Sequence, residues 1–427
     1  MAAVPILEEM SGSPAGAMIA SLAGLRGEAL DPERAQLVLS NGTDRRLAIY
    51  AASAGFDLVE ELDFLCLRTV EPNIFFNPRF LAPAMPRLED REVRLAVIRD
   101  GDEEKNRLRM LMPFSVERPS GPIGVPIIRT WSSPFGPVGT PLIDRDDPVG
   151  VIDDFLSMLA RPHLKLPSVL VLPDMRLDGA AARVIRAAAL GRNLTVIETD
   201  RVSRPFLESD LDGEAYLRET LRSHHVREFR RLKRRLGEHG VVEHVVARQP
   251  EEVRLALEEF LTLESSGWKG RERSALAVDR FRAPFAREAI HRLAQRDLCR
   301  IHSLTLDGKT IASLVVFVEQ GVAYTWKTAY DEAYAAYSPG TLLVIEITHQ
   351  HLDDPNIAAT DSCAVADHPV MSRLWRERRE MGTLVIGLTP GADRPARQAA
   401  GQIHLHRETR NFARLMRTRL RGLLKRR

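Results

Sequence analysis

One segment of the chain has residue types that suit the binding of a phosphate group. A predicted strand is followed there by Tyr337, Ser338, Pro339, Gly340, Thr341 and Leu342, which open a predicted helix. Ser338 can cap this helix with its hydroxyl, and Pro339 suits the first helical position because proline has no N–H to leave without a partner. Gly340 has no side chain, so an anion could approach the free N–H groups of the first turn. Taken alone, the segment favours an ordinary capped helix after a strand. Only the surrounding elements can favour the phosphate site over that interpretation.

Glu264 is the first candidate for acid–base chemistry. It falls on the apolar stripe of a helix predicted over 251–264, so burial would disfavour its charged form and make the carboxylate a better proton acceptor. Such a group could take a proton from an amine. The same position also suits a structural acid in a buried ion pair, with Lys269, Lys327 or an arginine as the partner.

Asp361 and His368 are a second candidate pair, on either side of a predicted strand-to-helix passage. Histidine titrates near neutral pH and could relay protons. A cap or turn role for Asp367, His368 and Pro369 explains the same residues equally well.

Several residues could bind a substrate. Trp268 and Lys269 follow a glycine at a helix end, where a loop could close over a ligand, although Trp268 could also be a packed anchor. Lys327 alternates with Trp326 along a predicted strand and could bind a carboxylate or a phosphate. Three arginines of a helix predicted over 370–380 could do the same or be solvated: Arg376, Arg378 and Arg379.

The elements that must position these residues follow one order after Gly240: strand, helix, helix, three strands, helix, strand, helix, strand. Turns at Asp307–Gly308 and Gln320–Gly321 predict that the three middle strands form an antiparallel meander. The predicted ranges are 241–247, 251–264, 279–295, 299–306, 310–318, 322–329, 341–352, 357–365, 370–380 and 383–388.

The length predicts two domains with extensions. A first α/β domain is expected over 45–205, with strands at 94–98, 109–112, 169–172 and 194–197 and helices at 149–159 and 179–190. The remaining expected parts are an N-terminal extension over 1–44, a second domain over 206–390 and a basic helical tail over 391–427.

Composition limits the function classes. The 427 residues are 44% hydrophobic and 28% charged with a formal net charge of +2, which is typical of a soluble globular protein. Three scattered cysteines predict no disulfide framework, and the histidines at 224–225 and 349–351 lack companions at metal-ligand spacing, so no metal is expected. A cytoplasmic location is expected, and the basic stretch at 408–427 leaves a peripheral membrane or partner contact open.

An arginine-rich stretch over 218–235 lies in a helix predicted from Gly213 to Leu236. It is interpreted either as a solvated basic face or as a site for a polyanion such as tRNA.

The element order, with a helix start suited to phosphate after the third meander strand, is similar to the GNAT acyltransferase fold. More narrowly, the chain resembles the bacterial CelD/BcsL-type acetyltransferases, relatives of FemAB-like proteins with two GNAT-like units. The motifs that carry the resemblance lie at 263–270, 326–331, 337–340 and 361–369. It implies an α/β (α+β) fold class, with two tandem units of mixed, mostly antiparallel sheets flanked by helices.

The resemblance implies that the donor is acetyl-CoA or another acyl-CoA. Residues 337–342 would hold its pyrophosphate, and the open edge of the strand 322–329 would pair with the pantetheine arm. A backbone N–H near 325–327 would stabilise the oxyanion, and a splay between the fourth and fifth strands would turn 361–365 towards the same cleft. The predicted fourth helix has Trp375 where many GNAT enzymes have a tyrosine acid, so no general acid is assigned.

The expected function is N-acyl transfer to a small-molecule amine, with an amino sugar or another envelope or exopolysaccharide precursor as the acceptor that family association suggests. Two alternatives stay open. One is FemAB-like transfer of an aminoacyl group from tRNA to a cell-wall precursor, and the other is a non-catalytic GNAT scaffold in a polysaccharide-biosynthesis complex.

Overall fold

The computed structural model describes residues 5–10, 45–89, 91–101 and 106–424. Most of the expected extension over 1–44, and the side chains of the basic tail beyond 409, lie outside these described parts. The chain forms two compact units. The first contains residues 1–71, 91–202 and 380–427, and the second contains residues 72–90 and 203–379.

Among the described residues of the first half there are eight strands and four α-helices. They are β1 Leu7–Met10, β2 Arg45–Ala51, α1 Val59–Cys66, α2 Pro78–Leu88, β3 Arg94–Asp100, β4 Leu108–Glu117, β5 Ile127–Thr130, β6 Leu142–Ile143, α3 Pro148–Leu159, β7 Val169–Arg176, α4 Ala180–Gly191 and β8 Val196–Leu207.

The second half, as far as the structure describes it, adds six strands and eight α-helices. They are α5 Gly213–Thr220, α6 Ser223–Gly237, β9 Val242–Ala247, α7 Pro250–Ser266, α8 Trp268–Arg271, α9 Arg282–Ala294, β10 Cys299–Leu306, β11 Lys309–Glu319, β12 Val322–Tyr330, α10 Pro339–Asp353, β13 Ala359–Asp361, α11 Met371–Leu374, β14 Glu377–Gly387 and α12 Asp393–Leu424.

Each unit has a mixed, mostly antiparallel sheet, which confirms the predicted fold class. In the first unit the order is β1-β2-β3-β4-β5-β7 followed by the part of β14 after Arg379, and β5 pairs with β7 in parallel. In the second unit the order is β9-β10-β11-β12-β13 followed by the end of β8, and β12 pairs with β13 in parallel. Apart from β6 and α8, the order of strands and α-helices from β2 to β8 is the same as the order from β9 to β14.

The contiguous division expected near residue 205 differs from the observed units at two places. Residues 72–90, which include α2, belong to the second unit, and residues 380–427 belong to the first. The reason is apolar packing. Phe80 of α2 lies edge-on against Phe285 at 5.3 Å and Trp326 at 6.1 Å between ring centroids, inside the second unit.

The second unit buries apolar side chains on both faces of its sheet. One face packs against α5, α6, α10 and α11 through residues such as Leu232, Leu343 and Trp375. Successive side chains of a strand alternate between faces. Phe317, a neighbour of Val316 on β11, therefore points to the opposite face, where it meets Phe80.

Two predicted helices are wrong in part. The helix expected over 213–236 is broken at Leu221, which is buried and extended, so that α5 and α6 are separate. The helix expected over 370–380 is the short α11 followed by β14. Trp375 is extended there, fully buried, and donates its indole N–H to Thr348 Oγ1 of α10 at 2.9 Å, a distant contact that overrides the local helical pattern.

Candidate functional site

The centre of the candidate site is the fork between β12 and β13. The two strands pair in parallel over only three positions, from Val322 opposite Ala359 to Tyr324 opposite Asp361. Beyond the fork, the part of the chain that the structure describes provides no further strand along this edge of β12, which reaches Tyr330. An open strand edge offers unpaired N–H and C=O groups to a ligand.

A β-bulge interrupts β12 just beyond the fork. Val315 of β11 is opposite Lys327 and Val316 is opposite Thr325, so Trp326 is the extra residue. A bulge leaves the backbone groups of the extra residue outside the regular ladder. The predicted oxyanion donor near 325–327 therefore coincides with an irregular stretch of backbone.

The helix predicted to bind phosphate begins close to the end of β12. Pro339 is its first residue, as expected, but the predicted hydroxyl cap is wrong. Ser338 has a left-handed backbone (φ 52°) and makes no capping bond with its side chain; its carbonyl accepts the N–H groups of Thr341 and Leu342 instead. A Cβ atom on Gly340 would lie 3.6 Å from the Tyr330 ring, which is ordinary contact, so an alanine fits there.

The arginine-rich helix α6 ends beside this helix start. His239 Nε2 lies 2.5 Å from Tyr337 Oη, and the Arg235 guanidinium lies 5.6 Å from the Tyr337 ring centroid. Lys233 Nζ pairs with Glu346 of α10 at 2.5 Å. Two features that the sequence presented separately, the basic helix and the phosphate-suited turn, are therefore in contact.

The surroundings of Glu264 are those of a structural acid in a buried ion pair, which was the second role considered from the sequence. Its side chain is buried, with the residue 3% exposed. Oε1 accepts from Lys269 Nζ at 3.0 Å, and Oε2 accepts the Leu276 N–H at 2.8 Å. Both contacts stabilise the ionised carboxylate, and general-base action by Glu264 stays a prediction.

Two lysines lie at the bulged end of β12. Lys269 Nζ donates to the carbonyl of Thr328 at 2.6 Å in addition to Glu264. Burial and the nearby Lys269 ammonium lower the pKa of Lys327 to about 8, against the opposing effect of Glu264. An amine with this pKa is partly neutral at physiological pH.

Asp361 and His368 have structural partners. Asp361 is 6% exposed, pairs with Arg204 at 3.2 Å and accepts the N–H of Cys363 at 2.7 Å. His368 Nδ1 accepts the N–H of Met371 at 3.2 Å, the cap role considered from the sequence, and burial lowers the pKa of its imidazole. Catalytic roles for this pair stay predictions.

Trp268 is not the packed anchor considered as its alternative role, because it is 44% exposed. Its backbone N–H donates to Glu332 at 2.8 Å, and Arg271 pairs with the same carboxylate at 2.7 Å. These bonds fix α8 to the short 3-10 helix that precedes α10. Arg378 lies on β14 rather than on a helix, and its guanidinium donates to the carbonyls of residues 372, 375 and 377.

Three parts of the site were not found from the sequence. The bulge at Trp326 has no local signature. The Thr328 carbonyl is a backbone group, so its residue type carries no signal. Arg204 was not predicted as a partner for Asp361, because the two residues are far apart in the sequence. The end of β8 brings Arg204 to the fork.

A family model described as an acetyltransferase (GNAT) domain matches residues 223–362. This range contains the fork, the bulge and α10, so the similarity to GNAT domains falls on the residues of the candidate site. The narrower CelD/BcsL assignment is not established by the match. Among curated protein sequences, none matches the chain.

Solved structures similar to the chain have low sequence identity. A tandem GNAT protein from the clavulanic acid biosynthesis pathway is 14% identical, with 81% of this chain and 99% of that chain covered and a TM-score of 0.40. FemX is 9% identical, with 77% and 95% covered and a TM-score of 0.46. L-PGS from Bacillus licheniformis is 11% identical, with 69% and 86% covered and a TM-score of 0.41.

Proposed function

We propose that the second unit is an N-acyltransferase that moves an acetyl or other acyl group from acyl-CoA to an amine. The observation that carries this proposal is the open edge of β12, which runs from the fork with β13 to Tyr330, beside the first turn of α10. An extended amide chain can pair with such an edge while its phosphates meet a helix N-terminus. The GNAT domain match over the same residues supports it.

The phosphates of the donor would bind at residues 337–342. The dipole of α10 favours an anion at this helix start, and Arg235 and His239 add basic groups next to Tyr337. The thioester carbonyl would lie at the bulge, where the irregular backbone around Trp326 is the proposed place of the oxyanion donor.

The proton of the acceptor amine needs a base near the bulge. We propose Lys327 for this step rather than Glu264 or Asp361, because both carboxylates are held in buried ion pairs. A pKa of about 8 for Lys327 suits proton transfer near neutral pH. Lys327 and the exposed Trp268 would also contact the acceptor.

The acceptor is proposed to be an amino sugar or a related envelope or exopolysaccharide precursor, on the resemblance to CelD/BcsL-type enzymes alone. Among the described residues, no group of three histidine, cysteine or carboxylate side chains is arranged to hold a metal ion.

Isothermal titration with CoA tests the donor site. We expect binding by the native chain, nearly unchanged binding by Gly340→Ala, and a loss of about tenfold or more by Gly340→Leu, whose side chain would cover the first turn. Thermal melting of both variants checks the fold. Absence of CoA binding by the native chain would refute the proposal, whereas binding without transfer to any amine would favour the scaffold alternative.

A second candidate is transfer from aminoacyl-tRNA, and the exposed face of α6 favours it. Arg227, Arg230 and Arg234 are exposed there and form no ion pair with any residue that the structure describes. Phosphate contacts by such groups are salt-dependent. Co-purification of tRNA at low salt, lost when Arg230, Arg231 and Arg234 are changed to Gln, would support this candidate, and unchanged tRNA retention in that variant would count against it.

A further inference from the structure

One contact on the open edge of β12 is not used by the proposed reaction. Lys269 Nζ donates to Thr328 O at 2.6 Å, a shorter distance than its 3.0 Å to Glu264 Oε1. The backbone groups of successive strand residues point to alternate edges of the strand. The Asp331 N–H donates to the Ile311 carbonyl at 2.8 Å and so faces β11, and by this alternation the carbonyl of Thr328, three residues earlier, faces the open edge.

A ligand that extends along this edge needs the same carbonyl. The pantetheine arm of CoA carries two amide N–H groups, and an extended amide chain binds a strand edge by donating to its free carbonyls. A donor amide and the Lys269 ammonium therefore compete for Thr328 O.

Lys269 can leave this carbonyl without movement of its helix. The backbone of α8 is fixed separately, because Glu332 accepts from the Trp268 N–H and pairs with Arg271. Glu264 would keep both its partners, the Leu276 N–H and Lys269 itself. A rotation of the outer bonds of one side chain is enough to free the edge.

We propose that Lys269 is a latch on the donor site, closed onto Thr328 O in the free protein and displaced by an amide N–H of the acyl donor. The proposal rests on the proposed function and assigns Lys269 a role in setting donor affinity. The closed latch also covers part of an edge that could otherwise pair with another chain.

Isothermal titration with CoA on matched variants tests the latch. Lys269→Met alone would leave Glu264 as a buried, unpaired charge, so it is combined with Glu264→Gln and compared with Glu264→Gln alone. Lys269→Gln in the same Glu264→Gln background is a second test, because its shorter side chain reaches less far towards Thr328. We expect each Lys269 variant to bind CoA about 3- to 10-fold more tightly than its reference, the effect of removing one competing hydrogen bond.

Lys309→Met is the control, because Lys309 is an exposed lysine of the same unit that pairs with Asp331 at 3.4 Å. It should leave CoA affinity unchanged. Equal or weaker binding by the Lys269 variants, with CoA still bound by the native chain, overturns the latch and spares the proposed function. Absence of CoA binding by all these proteins overturns both.

Discussion

At the scale of single residues, the charge state of each buried candidate group depends on the partners that surround it and not on its residue type alone. Asp361 lies at the fork, and Glu264 is linked to the bulged end of β12 through Lys269, yet each acid is held by a basic side chain and a backbone N–H. Lys327 differs, because its burial and the Lys269 charge oppose protonation. The sequence could single out all three residues as candidates, but their charge environment depends on contacts that spacing does not encode.

Lys327→Met should lower acyl transfer by about 100-fold while CoA affinity stays within a few-fold of native, because the base is lost and the donor site is kept. In the native chain only the neutral amine accepts a proton, so the rate should rise with pH and level off above about 8. Steady-state kinetics between pH 6 and 9 measure this. Lys309→Met is the control, and a native profile that is flat through pH 8 would contradict the role of Lys327.

At the scale of elements, local patterns could be predicted and distant constraints could not. The meander of β10, β11 and β12 was predicted correctly because its turns have a strong local signal. Asp307 and Gln320 have a left-handed backbone (both φ 48°), and each is followed by a glycine at positive φ. The short α11 and the early start of β14 were missed, because Trp375 is fixed by Thr348 on α10. Helix α12, Asp393–Leu424, lies within the range expected for the basic helical tail, 391–427.

A chain of histidines joins helix α10 to the sheet beneath it. His244 Nε2 lies 3.3 Å from His302 Nδ1, the rings of His302 and His351 are 5.5 Å apart, and His351 Nδ1 lies 2.9 Å from Thr360 Oγ1. Burial, Arg300 and the neighbouring imidazoles lower the pKa of His302 well below its usual value. Burial, with Arg300 next, lowers the pKa of His351 to about 3.

Stability should therefore fall as the pH is lowered from about 6.5 towards 3. Over that range the unfolded chain binds protons that the buried imidazoles of His302 and His351 do not, at up to about 1.4 kcal/mol per pH unit for each. Denaturant unfolding at pH 5 to 8 measures the slope. His302→Gln should make it shallower, and the exposed control His291→Gln should leave it unchanged; equal slopes for the two variants would refute this account.

At the scale of the whole molecule, neither unit is a contiguous piece of sequence. The second unit needs residues 72–90, which supply Phe75 and Phe80 to the aromatic cluster around Phe317 and Trp326. The sequence does not show that α2 belongs to the second unit, because the three prolines of α2 make even a helix difficult to predict there.

Within the described residues, no helix is both long and apolar enough to cross a bilayer.

A fragment of residues 206–390 should therefore fail to fold, although it contains the whole GNAT domain match. Without Phe75 and Phe80, the fragment exposes the apolar surface that these rings cover, and losing a single buried phenylalanine costs about 3–5 kcal/mol, a large part of a typical domain's stability. Circular dichroism and size-exclusion chromatography of the fragment and the full chain test this. Phe64→Ala, at an exposed phenylalanine, is a control that should leave the full chain stable, whereas Phe80→Ala should not. A soluble, cooperatively melting fragment would contradict the prediction.

The place of β14 has a consequence for synthesis on the ribosome. From Met381 onwards this strand pairs with β7, which precedes it by some two hundred residues, within the first unit. One edge of β7 therefore stays unpaired while the intervening residues are translated, and the first unit cannot complete its sheet as it emerges. Folding of this unit is expected to finish only after β14 has left the ribosome, and chaperones that shield strand edges should matter more for the yield of this protein than for that of a protein whose domains emerge one at a time.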